Sequence, residues 1–162
     1  ILNDSVIATT AVIFIMAAAQ PFGWVLTFEQ APLKVLAFFR DAHLGPWVIL
    51  LILNAILLFL GCIMEGMAIM IMSIPVLMPL IKHAGIDPVH FGVVFVLNIM
   101  IGNITPPVGN IMYVVCSLAK ISIGEFAKEV WPFIIALVIA LGLVTYIPSL
   151  ALWLPDLLLS GR

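Results

Sequence analysis

Gly102-Asn-Ile-Thr-Pro-Pro-Val-Gly109 is the stretch on which the reading of this chain turns. It lies inside 32 consecutive residues, Pro88 to Ala119, that contain no Asp, Glu, Lys or Arg. A helix is expected in so apolar a run, yet glycine loses the most backbone entropy on ordering, and proline removes a donor and clashes with the preceding turn. Irregular backbone at membrane depth is tolerated only where protein buries it or a water-filled cavity faces it. The stretch therefore predicts a broken transmembrane helix and, at the break, a candidate ion or substrate site.

Composition supplies the membrane. Hydrophobic residues make up 65% of the chain and charged residues 9%, with a mean hydropathy of +1.33, far from the usual soluble domain. The charges are spaced as loop markers, with 23 uncharged residues between Asp41 and Glu65 and 26 between Glu129 and Asp156. About 20 apolar residues cross a bilayer as a helix, and unbroken apolar runs exclude barrel strands. The net charge of −2 and the lack of a Lys/Arg cluster exclude nucleic acid and a polybasic lipid anchor, leaving ordinary membrane lipid as the surroundings. Cys62 and Cys116 sit among neutral neighbours and read as small buried hydrophobes. The chain opens Ile1-Leu-Asn-Asp, with neither an initiator Met nor the basic and small-residue regions of a signal peptide, so the C-terminal part of a larger membrane protein is expected.

Residues 1–45 read as the end of a preceding span, Ser5 to Ala19, stopped at Gln20 to Gly23. An amphipathic helix follows, opened by Pro32 and closed near Arg40, either interfacial along the membrane surface or an ordinary loop helix packed on a neighbour. Residues 46–120 hold a span from Pro46 to Met64, an interrupted segment from Glu65 to Lys82 and the broken helix. The interrupted segment has only 16 uncharged residues, cut by Ser73-Ile-Pro75 and Pro79, and predicts a re-entrant hairpin with its tip near Ser73 to Pro75. The broken helix starts near His90, breaks at Gly102 to Gly109 and resumes at Asn110. Residues 121–162 open on Ser122-Ile-Gly-Glu125, which has capping-box spacing, predicting a short surface helix before a last span that begins at Trp131-Pro132. Counting basic residues at the loops gives four against two whether or not the interrupted segment spans, so the orientation stays open.

Metal catalysis needs clustered His, Cys or carboxylates, and His43, His83 and His90 show no ligand spacing. No uncharged helix offers Ser73 or Ser117 a base for hydrolysis. What remains is a site of carbonyls, hydroxyls and amides, suited to a small hard cation, and Na+ is the natural coupling ion. Thr105 brings a hydroxyl into the break, and Pro106 and Pro107 cannot donate to the carbonyls one turn back, which leaves those of Gly102, Ile101 and Asn103 for an ion. The plainer reading is a kink re-satisfied by Thr105 bonding its own helix. Ser73 is a ligand at the hairpin tip or a polar cap on a turn. Asn98 orients the site or bridges helices, and Glu65 is an intramembrane acid or an interfacial one. The candidate sodium residues are Gly102, Thr105 and Val108, with Ser73 and Gly61 in the hairpin region. The candidate substrate residues are Asn103, Pro106, Pro107, Asn98 and Glu65. From Ala42 to Ala119 there is no Arg and only Lys82, so a small anion would be met by a cation elsewhere or by helix N-termini at the breaks.

GIDPVHFG (Gly85 to Gly92), NIMIGNITPPVG (Asn98 to Gly109) and the run from Trp131 to Pro155 closely resemble the large membrane subunit of tripartite ATP-independent periplasmic (TRAP) transporters. The similarity also takes in Phe22-Gly-Trp24 and the Gly61-x-x-x-Glu65…Pro75-x-x-x-Pro79 pattern. It implies an all-α, elevator-type transporter fragment of the bacterial inner membrane, driven by sodium. The implied partners are a small membrane (Q) subunit, the remainder of its own M subunit and a periplasmic substrate-binding protein that delivers a small organic acid, of sialic acid or C4-dicarboxylate type. Glu65 stands where many members have Asp, and Asn103 where Leu is common. No enzyme is expected. The rival readings are a non-transporting membrane scaffold and an anion/sodium symporter that works without a binding protein.

Overall fold

The computed structural model describes residues 2–106 and 109–159, and every regular element among them is a helix. Eight are present: α1 (Leu2–Phe28), α2 (Ala31–Asp41), α3 (Pro46–Ile63), α4 (Gly66–His83), α5 (Pro88–Ile104), α6 (Asn110–Ala119), α7 (Ile123–Tyr146) and α8 (Ser149–Leu159). Of these, α3, α4 and α7 are long and apolar enough to cross a membrane. Large apolar side chains such as Phe59, Phe133 and Leu118 lie exposed on the outside, as expected where lipid is the solvent. This is an all-helical membrane protein.

Helix starts follow local chemistry. Proline opens α3 and α5, where its missing N–H costs nothing, and Asp87 caps α5 by accepting from the N–H groups of Val89 (2.8 Å) and His90 (3.0 Å). At α7 the predicted capping box is present, with the Ser122 hydroxyl accepting from Glu125 N–H and the Glu125 carboxylate accepting from Ser122 N–H.

Several expected interruptions are absent. The chain does not turn at Ser73 to Pro75, because α4 continues through Pro75 and Pro79 to His83. Likewise α1 runs through Pro21, and α7 joins the expected surface helix to the last span through Pro132. A proline inside a membrane helix forfeits one hydrogen bond, whereas breaking the helix in lipid would expose several backbone groups, so continuity is favoured. The reversal lies instead at Met64 and Glu65, two residues in succession with extended backbone. Glu65 then caps α4 by accepting from Ala68 N–H at 3.0 Å.

Helices α3 and α5 run parallel, since Asn54 meets Asn98 and, further along both, Gly61 meets Gly102. Between them in sequence, α4 runs back, bringing Leu80 and His83 beside Pro46 and Ile49. Returning past both, α7 sets Thr145 against Asn54 and Tyr146 against Trp47. The main core is built from Leu50, Leu53 and Leu57 of α3, Ile69 and Ile81 of α4, and Phe91, Phe95 and Ile99 of α5. On the other side of the molecule α1 and α2 pack on α4.

In lipid no hydrophobic force drives apolar helices together, so close backbone approach and interhelical hydrogen bonds hold them. Both occur here. Asn98 Nδ2 donates to Asn54 Oδ1 (2.7 Å) and to Val94 O (2.7 Å); Asn54 Nδ2 donates to Thr145 Oγ1 (2.9 Å), whose hydroxyl donates to Leu141 O (2.7 Å). A polar ladder thus ties α5, α3 and α7 at one level. Beside it His90, only 2% exposed, donates from Nε2 to Val144 O at 2.8 Å, since a carbonyl can only accept. Interhelical bonds of this kind contribute about 0.6 kcal/mol each and rarely above 1.7. Asn54→Leu, which removes two of them, is expected to lower the unfolding free energy of the full-length protein in detergent by about 1–2 kcal/mol. Asn54→Leu/Asn98→Leu should cost little more than Asn54→Leu alone, because the two amides share one bond, and strictly additive losses would break the ladder into independent contacts.

Candidate ion site

The break begins later than Gly102. Helix α5 continues to Ile104, Thr105 is extended, and α6 starts after Gly109. Thr105 satisfies two carbonyls of the preceding turn, its N–H donating to Gly102 O at 2.9 Å and its hydroxyl to Ile101 O at 2.6 Å. The carbonyls of Gly102 and Ile101, expected to be free, are therefore engaged. Those of Asn103 and Thr105 accept no hydrogen bond among the described residues.

Gly102 plays a different part. A Cβ built on it would lie 2.6 Å from the backbone carbon of Gly61, and a Cβ on Gly61 would lie 3.2 Å from Gly102 Cα. The two backbones touch, which carries the end of α3, and with it the Met64–Glu65 reversal, to the end of α5. A hydrogen bond from Gly109 N–H to Cys62 O, 3.0 Å, fastens the far side of the break to the same place. Gly109 has φ +43, a conformation that disfavours side chains, and a Cβ there would sit 3.0 Å from both Asn103 O and Thr105 O. Glycine is needed at this point so that two carbonyls can gather against the backbone.

Asn103 lies in the same cluster, 8% exposed, with its side-chain nitrogen 3.4 Å from where a Gly66 Cβ would be. Its Oδ1 is buried and has no hydrogen-bond partner among the described residues. A buried acceptor without a partner costs about 1–3 kcal/mol, a cost that a cation beside it would offset. The donor set of this region consists of neutral oxygens, namely Asn103 Oδ1, the Asn103 and Thr105 carbonyls and the Thr105 hydroxyl oxygen, whose lone pairs stay available while its hydrogen goes to Ile101 O, and it matches the preference of a small hard cation. The C-terminal ends of α3 and α5 bring negative partial charge to the same place, and the N-terminal ends of α4 and α6 bring positive.

Of the other candidates, Pro106 is half-buried in the break and Glu65 is half-buried as the cap of α4. Asn98 is wholly buried in the polar ladder, where it bridges helices, and its Oδ1 also lacks a partner among the described residues. Ser73 is not brought to the break. It is half-buried on α4, where it lines a cavity of about 500 Å³ that is otherwise apolar. Pro107 and Val108 fall outside the described residues. The reading from residues alone missed Cys62 O, Gly66 and Thr145. Gly61-x-x-x-Glu65-Gly66 carries a visible small-residue signal for two of these, whereas the partnership of Asn54 with Thr145, 91 positions away, leaves none.

Apolar helices interrupted beside one another, with a glycine contact and buried amides at the interruption, define a multi-pass membrane protein of the kind built around internal helix breaks. The chain belongs to the family described as "Tripartite ATP-independent periplasmic transporter, DctM component", which it matches over residues 1–150. It is 39% identical over 160 residues to the sialic acid TRAP transporter large permease protein SiaM of Vibrio cholerae, covering 99% of this chain and 38% of that one. It is 37% identical over 156 residues to the C4-dicarboxylate TRAP transporter large permease protein DctM of Pseudomonas aeruginosa, covering 96% of this chain and 36% of that one. It is also 39% identical over 157 residues to the uncharacterised protein YgiK of Salmonella typhimurium, covering 97% and 36% respectively. The chain thus spans little more than a third of the length of these relatives.

Proposed function

We propose that this chain forms the ion-coupling part of a sodium-driven secondary transporter that imports a small organic acid across the bacterial inner membrane. The acid is delivered by a periplasmic binding protein, and a small membrane subunit and the rest of the large subunit complete the machine. Family membership supports transport. The names of two relatives, one for sialic acid and one for C4-dicarboxylates, support an organic acid as cargo. The observation that carries the sodium assignment is the buried, unpartnered Asn103 Oδ1 beside the carbonyls at Gly109.

In this mechanism the oxygens of Asn103 and Thr105 replace water around Na+ without burying a full negative charge. Helix N-termini at the two breaks attract the carboxylate of the cargo, which suits a region with no Arg. The hairpin formed by α3 and α4 is read as re-entrant with Met64–Glu65 at its tip, and it moves with the broken helix in an elevator-like step.

The experiment is uptake of labelled organic acids into proteoliposomes holding the full-length protein, its small partner and its binding protein, with and without a sodium gradient. Thr105→Ser keeps the hydroxyl and should retain sodium-dependent uptake. Thr105→Val and Thr105→Ala should raise the half-saturating sodium concentration about tenfold or more, a loss of ~1.4 kcal/mol of ion binding. Wild-type uptake indifferent to sodium would sink the assignment, as would a Thr105→Val protein with unchanged sodium dependence, leaving the Thr105 hydroxyl as a clip on its own helix.

A further inference from the structure

The geometry points to a binding site for one anionic phospholipid in the cleft between α2, α3 and α4, bounded at its apolar end by Phe22 and Leu26 of α1 and by Met64 of the α3–α4 reversal. Two cavities lie there end to end, one of about 500 Å³ and one of about 480 Å³, and Phe39 lines both.

All three helices line them in the same order. Val35 of α2 lines the first cavity, while Arg40 at the end of α2 and His43 in the turn just after it line the second. On α3, Leu53 and Leu57 belong to the first and Pro46 and Ile49, about a turn nearer the helix start, to the second. On α4, Ser73 and Val76 belong to the first and His83 and Ala84 to the second. The two cavities are therefore successive levels of one groove.

Polarity changes along that groove as it does along a lipid. The first level offers a single polar side chain, Ser73. The second is lined by Arg40, His43 and His83 and, among the described residues, by no carboxylate, and it lies at the end of the bundle that carries the turn from Ala84 to Asp87. Arg40 is permanently charged and presents a fork that matches phosphate oxygens. The His43 ring donates from Nδ1 to Asp41 O at 2.8 Å, which leaves Nε2 as its available nitrogen. A cationic pocket at the headgroup level opening onto an apolar channel below suits an anionic phosphodiester with its acyl chains. A zwitterionic lipid would gain less from the three side chains.

The test is native mass spectrometry of the full-length protein released from nanodiscs containing phosphatidylglycerol and phosphatidylcholine with identical acyl chains in equal amounts. The wild type should retain phosphatidylglycerol about tenfold over phosphatidylcholine, in line with the attraction of basic side chains for anionic lipid. Arg40→Gln/His83→Gln alters exposed side chains and should bring that ratio within about twofold while the protein elutes normally on size exclusion. Val76→Phe fills the apolar level and should reduce retention of both lipids. The inference falls if the wild type shows no preference, or if Arg40→Gln/His83→Gln leaves the preference intact. It also falls if inorganic phosphate displaces the lipid as well as lipid does, or if no lipid is retained because the rest of the protein fills the cleft.

Discussion

Gly102→Ala is expected to be the most damaging single methyl that can be added to this chain. The new Cβ would lie 2.6 Å from the Gly61 backbone carbon, 2.7 Å from its Cα and 3.0 Å from Cys62 N, all of them main-chain atoms that cannot swing aside. Overpacking typically costs about 1–3 kcal/mol, and a clash with backbone belongs at the top of that range or beyond. Gly61→Ala meets Gly102 Cα at 3.2 Å and should cost less, whereas Gly92→Ala meets nothing within 4 Å and should raise stability by about 0.5–1 kcal/mol through helix propensity. Thermal unfolding of the full-length protein in detergent ranks the three. A Gly102→Ala protein as stable as wild type would mean that α3 and α5 do not touch in the membrane. The same variant should also abolish uptake, because separating the helices pulls the Gly109 to Cys62 bond apart.

Asn103→Leu should divide stability from function. Removing a buried amide whose Oδ1 has no partner among the described residues relieves its desolvation cost, and leucine fills similar space, so the variant should unfold no more easily than wild type in the absence of sodium. If Asn103 Oδ1 is a sodium ligand, the half-saturating sodium concentration for uptake should rise about 10- to 100-fold, as it does when contacts supporting an ion are lost. The stabilisation that sodium confers on the wild type should shrink in step, since a ligand stabilises the folded state through its affinity. A variant that unfolds more easily while its sodium response is unchanged would make Asn103 a packing residue.

Proline and capping residues made much of this architecture legible, but not evenly. Pro46 and Ser122 to Glu125 announce helix starts because their chemistry is local, and helices begin there, whereas α5 opens at Pro88, capped by Asp87, two residues ahead of the start expected near His90. The break after α5 was also local, since Pro106 and Pro107 cannot continue a helix. Its onset was misplaced at Gly102 because a glycine that serves helix contact looks the same in sequence as one that ends a helix. Pro21, Pro75, Pro79 and Pro132 misled for the opposite reason. In lipid a helix keeps going through a single missing donor, so the turn expected at Ser73 to Pro75 is absent and the reversal belongs to Met64 and Glu65. Spacing leaves Glu65 as an interfacial or an intramembrane acid, and its capping of α4 gives the charge a structural purpose that spacing does not show. The ladder of Asn98, Asn54 and Thr145 was invisible, because nothing along the chain says which buried amide will find which hydroxyl.

The ladder and the glycine contact have a mechanical consequence when taken together. They fix α3 against α5 at two levels, Asn54 to Asn98 and Gly61 to Gly102, and the two levels differ in kind. Sliding one helix past the other by a single turn would put an amide against a glycine at one level and a bulky side chain into the backbone contact at the other. Like a two-pin key, the pair admits one register, so whatever displacement the protein undergoes must carry α3 and α5 together as a single rigid member and take up the shear elsewhere.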